Sequence, residues 1–168
     1  IWGEGLRRGI HPGYPIAILG MDVLFGDLER SGYAVAVLAS ALAVIPLYLL
    51  VRDLADRRIA ILTGLLYACL SDLIRIQADV MTEGLFHLLF LSSLTLAWFG
   101  ARRWWLLLAA GLTGAAAFWV RPEGIYLAFV ILLAGRKRIL PAMAGAALLL
   151  ALAAPLVARH ERRESIRL

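Results

Sequence analysis

The stretch from Gly32 to Val51, GYAVAVLASALAVIPLYLLV, contains no charged residue. Asp27, Glu29 and Arg30 precede it, and Arg52, Asp53, Asp56, Arg57 and Arg58 follow it. A helix crosses a bilayer with about 20 mostly apolar residues, so this stretch is read as a membrane span bounded by charge at both ends. The same alternation continues along the chain. Ile59 to Ser71, Gly84 to Gly100, Trp104 to Val120, Pro122 to Ala134 and Ile139 to Ala158 are further apolar runs, giving six candidate spans in all. Ile59 to Ser71 and Pro122 to Ala134 are short, roughly 20 Å as helices against a hydrocarbon core of about 30 Å. They must extend into their polar flanks or begin below the membrane surface.

Composition agrees with the pattern. Of 168 residues, 62% are hydrophobic and 17% charged, with a mean hydropathy of +0.82, whereas soluble domains hold about 45–50% apolar and about 25% charged residues. The expected fold is therefore all-α, a polytopic membrane helical bundle of about six transmembrane helices. The formal charge is +5, but the basic residues fall in short clusters between apolar runs, where they act as topology signals and not as a nucleic-acid surface. Cys69 is the single cysteine, so an intrachain disulfide is excluded and a thiolate metal site has no ligand set. The chain begins at Ile1 and not at Met, and is read as part of a longer protein.

The loops give the orientation. If the spans alternate, Arg52, Arg57, Arg58, Arg102, Arg103, Arg136, Lys137 and Arg138 share one side, while the opposite connections hold only Arg75 and Arg121. The positive-inside rule makes the first side cytoplasmic. Asp72 to Glu83 and Arg121 to Gly124 then face the periplasm or its equivalent. Residues 1–30 form an outer loop and an interfacial helix between Pro15 and Gly26, which is too short to cross and is interrupted by Asp22. Residues 31–158 form the bundle. The tail 159–168, with Arg159, Arg162, Arg163 and Arg167, breaks the charge rule and reads as the start of a further outer segment.

Three outer features could carry chemistry. Arg75, Asp79, Glu83 and His87 recur every four residues, so one continuous helix from Ile74 to Phe90 would align them in an ionisable stripe entering the membrane. The plainer alternative is an exposed Arg75–Asp79 pair, with His87 hydrogen bonding between helices. In Trp119-Val-Arg-Pro-Glu-Gly124, Arg121 precedes a proline suited to a helix's first turn, which sets a planar cation beside a helix N-terminus where an anion such as a lipid phosphate is favoured. The alternative is a hairpin turn in which Arg121 snorkels to headgroups and Glu123 is an N-terminal helix charge. His11-Pro-Gly-Tyr-Pro15 is a rigid entry to the interfacial helix that exposes an imidazole and a phenol, or simply a turn. No phosphate-binding glycine loop, His-Glu-x-x-His pattern or serine-nucleophile elbow is present in the sequence, and soluble nucleotide chemistry has no support.

These motifs resemble the GT-C superfamily of glycosyltransferases, in the bacterial branch related to protein O-mannosyltransferases and lipid A aminoarabinose transferases. The resemblance is carried by His11 to Pro15, Leu24-Phe-Gly26, Ala60 to Ala68, Thr82-Glu-Gly84 and Gly111 to Gly124. It implies transfer of a sugar from a polyprenyl-phosphate donor to a lipid, glycan or protein acceptor on the outer face of a bacterial inner membrane. Arg121, and Arg75 with it, would stabilise the leaving phosphate; Glu123, Asp79, Glu83, His11 and Tyr14 complete the expected substrate-binding set. The resemblance places the catalytic base on an acidic residue of the first outer loop, upstream of Ile1. No cofactor is required by these residues, and a divalent metal stays open. A multi-pass transporter or a non-catalytic membrane subunit are the alternatives, but a transporter would more often carry broken mid-span helices and a repeat.

Overall fold

In the computed structural model, residues 11–69, 82–100, 102–134, 141, 143–148 and 150–151 are described. They are helical throughout, with no strand among them. Helix α1 spans Gly13–Phe25, α2 Leu28–Leu54, α3 Arg57–Cys69, α4 Glu83–Gly100 and α5 Trp105–Val120. A 3-10 turn over Pro122–Ile125 leads into α6, Tyr126–Ala134, and helical turns recur over 143–148.

Helix α2 outgrows the apolar stretch that announced it. The Asp27 carboxylate accepts hydrogen bonds from the backbone N–H groups of Glu29 (2.9 Å) and Arg30 (3.2 Å) and caps the helix, which begins at Leu28, four residues ahead of Gly32. One face of α2 is a seam of small residues. Gly32, Ala36, Ala39, Ala43, Pro46 and Leu50 are buried at alternating spacings of four and three, which lets α4 approach closely. A Cβ added at Gly84 of α4 would lie 2.8 Å from the Ala36 carbonyl oxygen and 2.5 Å from Ser40 Oγ. Further along, the Thr95 hydroxyl donates to the Pro46 carbonyl at 3.0 Å. Helices α2 and α4 therefore run parallel. Helix α5 returns antiparallel to α4, its Ala110 carbonyl accepting from the Ser93 hydroxyl at 2.8 Å. Leu107, Ala110, Ala115 and Ala117 pack with Ala97, Leu127 and Ile131 in the main core.

The outward faces are equally apolar. Val37, Leu38, Leu42, Ile45 and Leu49 of α2 and Ile61, Leu62, Leu65 and Leu66 of α3 are exposed, as lipid-facing residues must be. Two helices among the described residues, α2 and α4, are long and apolar enough to cross a membrane; α1, α5 and the segment Pro122–Ala134 are shorter apolar helices. Among the described residues the six spans expected from the sequence are thus not reached by length, and most of the expected sixth, Ile139 to Ala158, lies outside those residues. At 1.5 Å per residue, helices of 13 to 16 residues extend roughly 20–24 Å, short of a core of about 30 Å.

Two of the three expected basic connections share an end; the third, 136–138, lies outside the described residues. At one end Asp53, near the last turn of α2, accepts two hydrogen bonds from the Arg102 guanidinium (2.9 and 3.0 Å) and one from Trp98 Nε1 (2.7 Å). This clamp gathers the arginine-bearing connections around 52–58 and 102–103 at a common end. The opposite end collects the start of α1, the start of α4 and the corner between α5 and α6.

Candidate functional site

Each element brings its residue to that second end for a local reason. Arg121 is extended (φ −147°, ψ 142°) and ends α5, the geometry a following proline imposes. Pro122 then opens the 3-10 turn. Gly124 is buried with its α-carbon against the backbone of Ala117 and Phe118, too close for any Cβ, so the chain folds back tightly on α5. Gly13 meets the same corner from the other side. A Cβ there would lie 2.7 Å from the Trp119 carbonyl and 2.8 Å from the Val120 nitrogen, so only glycine lets the His11–Tyr14 segment rest on the end of α5.

Arg121 is the centre of the resulting cluster. Its Nη1 donates to Glu83 Oε1 at 2.9 Å, while Nε and Nη2 donate to Glu123 Oε2 and Oε1 at 3.3 and 3.2 Å. The guanidinium also lies over the Phe86 ring, 5.6 Å from its centroid. The forked edge, Nε and Nη2, is thus held by the more exposed carboxylate, and the remaining arm by the better buried one: the side chains of Glu123 and Glu83 are 47% and 24% exposed. A hydrogen bond from its own backbone, and then the Arg121 guanidinium, hold the Glu123 carboxyl below the usual carboxylate range.

Tyr14 is buried and its hydroxyl donates to the Gly32 carbonyl at 3.4 Å. Burial and the nearby Glu83 carboxylate push its pKa up, which keeps the phenol a donor. The His11 ring stands edge-on to Phe118 at 5.6 Å between centroids. Two buried polar atoms at this end lack a hydrogen-bond partner, His11 Nδ1 and Glu83 Oε2.

Of the residues expected from the sequence, Arg121, Glu123, Glu83, His11 and Tyr14 come together. Arg75 and Asp79 lie outside the described residues. Of the continuous helix expected from Ile74 to Phe90, residues 74–81 lie outside the described residues; Thr82 lies in a bend and α4 starts at Glu83, the Thr82 carbonyl accepting a bond from Phe86 N–H at 2.9 Å. Glu83 and His87 remain one turn apart on α4. Phe86 and Phe118, which wall the cluster, gave no sequence signal beyond their apolar character. No group of three or more His, Cys, Asp or Glu among the described residues could hold a metal ion.

No curated protein and no solved structure matches the chain. Residues 11–158, by contrast, match the family described as dolichyl-phosphate-mannose-protein mannosyltransferase. The match begins at His11 and takes in the whole Arg121 cluster. It bears out the likeness to GT-C glycosyltransferases, and the chain belongs to the dolichyl-phosphate-mannose-protein mannosyltransferase family, whose members are integral membrane glycosyltransferases.

Proposed function

We propose that the protein transfers a sugar from a polyprenyl-phosphate carrier to a lipid, glycan or protein acceptor at the outer face of the membrane, and that Arg121 receives the carrier's phosphate. The acceptor hydroxyl oxygen bonds to the anomeric carbon as the bond from that carbon to the phosphate oxygen breaks. The phosphate leaves with the electron pair, and the acceptor's proton passes to a carboxylate base. The observation that supports this reading is the double engagement of the Arg121 guanidinium. Its Nε/Nη2 fork grips a carboxylate that is half exposed, and a planar fork that grips a carboxylate grips a phosphate with the same geometry. Glu83, on the other arm, keeps the guanidinium oriented while the fork changes partner. In a bacterial cell this end would face the periplasm, with the Arg102 end in the cytoplasm.

The test is turnover per folded protein for Arg121→Ala and Arg121→Lys in membranes. A phosphate contact that strengthens as the bond breaks predicts a loss on the order of 10²-fold for Ala, with partial recovery by Lys, which keeps the charge and not the fork. Near-normal turnover in Arg121→Ala would remove the residue from the site.

A further inference from the structure

Buried polar atoms without partners are rare in folded proteins, because each gives up its bonds to water with nothing in return. Among the described residues two side-chain atoms are in this state, His11 Nδ1 and Glu83 Oε2. They come from segments far apart in sequence, yet both border the Arg121–Glu123 pair. Glu83 touches Arg121 directly, and His11 stands with its ring on Phe118, two residues ahead of Gly13, which rests on the Trp119–Val120 backbone just before Arg121. Their coincidence at one end of the bundle asks for a ligand and not for two unrelated packing defects.

The atoms themselves define what that ligand offers. A carboxylate oxygen can only accept a hydrogen bond, so Glu83 Oε2 needs a donor. It also repels a phosphate, which leaves the anion to the cationic side of the cluster. Imidazole Nδ1 donates or accepts according to tautomer. A hydroxyl satisfies both. A metal ion would need more ligands than this pair supplies.

We propose that Glu83 Oε2 and His11 Nδ1 bind hydroxyls of the sugar carried by the lipid donor, so that the cluster is divided into a phosphate half at Arg121 and a sugar half at Glu83 and His11. This rests on the lipid-linked donor proposed above and adds which part of it these two residues read. Access needs no rearrangement of the backbone. The Glu83 side chain is 24% exposed, so its carboxylate is reached from the opening by side-chain motion alone.

Equilibrium binding of polyprenyl-phosphate-mannose and of bare polyprenyl phosphate to the protein in nanodiscs tests the division. Glu83→Gln keeps an oxygen for Arg121 and replaces the orphaned acceptor with a donor; His11→Phe keeps the edge contact with Phe118 and removes the nitrogen. Each is expected to lower the preference for the mannosyl lipid over bare polyprenyl phosphate about tenfold, the value of one hydrogen bond to a charged or buried group, and His11→Phe, at a residue given no phosphate contact, leaves bare polyprenyl phosphate within about twofold of the unsubstituted protein. Equal loss for both lipids, or no loss for either, overturns the assignment and makes the orphaned atoms sites of packing or bound water only. If the unsubstituted protein binds neither lipid, it is the donor reading itself that fails. If it binds both equally, the donor's phosphate is recognised and the sugar half is refuted.

Discussion

Replacing Glu123 with glutamine should tighten the binding of bare polyprenyl phosphate. Arg121 carries one positive charge and contacts two carboxylates, so this group sums to −1 before any ligand arrives (+1 − 1 − 1). A phosphate can reach the Nε/Nη2 fork only by displacing a carboxylate, and the two are not equal. Glu83 is bonded at 2.9 Å and is the less exposed, whereas Glu123 sits at 3.2–3.3 Å with nearly half its side chain in contact with the surroundings. An ion pair this exposed is worth about 0.2–1 kcal/mol. Removing the competitor therefore raises phosphate affinity by about 1.4- to fivefold, the two-point grip favouring the upper part of that range. Titrating polyprenyl phosphate into the protein in nanodiscs, at low and high salt, reads the effect, and screening should shrink the gain at high salt. Unchanged or weaker binding by folded Glu123→Gln would refute the displacement argument, since Glu123 would then be holding Arg121 in its binding posture.

Gly13→Ala should lower turnover more than it lowers the unfolding temperature, because the new methyl must push the His11–Tyr14 segment off the Trp119–Val120 backbone; equal and small effects on both would show that the segment re-seats without harm. Gly84→Ala should destabilise the protein in a thermal unfolding assay by about 1–3 kcal/mol of overpacking against Ala36 and Ser40, less the roughly 1 kcal/mol by which alanine favours a helix. In a Cys69→Ala background, needed because Cys69 is exposed, cysteines at Arg57 and Arg102 should react with an impermeant reagent only after membrane permeabilisation and one at Glu123 without it. The reverse pattern would invert the topology.

Much of the architecture was legible because bilayer-crossing helices are written in runs of composition. Gly32 to Val51 declared α2, and Ile59 to Ser71 and Trp104 to Val120 located α3 and α5 to within two residues at each end. The ends were less legible where a single side chain sets them. Asp27 lengthens α2 through a cap, and α4 starts at Glu83, inside the run that charge spacing read as one helix. At the site, Arg121-Pro122-Glu123 could be read locally, since proline fixes the backbone and Glu123 lies two residues on. Its pairing with Glu83 could not, because the two residues, 38 positions apart, are brought together only by the antiparallel packing of α4 on α5. The Asp53–Arg102–Trp98 clamp was missed for the same reason. Arg102 was counted as a loop charge, and nothing in sequence tells a paired arginine from an unpaired one.

If Arg121 receives the carrier's phosphate, as proposed, its two carboxylates resolve a difficulty that any phosphate-binding arginine at a membrane surface presents. The guanidinium must be in place and charged before its ligand arrives, yet a partly buried cation without a counter-charge is costly, and a flexible one loses the orientation that gives a fork its advantage. Glu83, fixed at the first turn of α4 and bonded to one arm, supplies the counter-charge and the orientation permanently. Glu123 occupies the fork provisionally from an exposed turn, so its departure breaks no packing. On this reading the unequal exposure of the two acids is the functional feature. The buried one sets where Arg121 points, the exposed one sets how readily a phosphate takes its place, and Gly13 and Gly124 let the backbone close around both by offering no side chain where none fits.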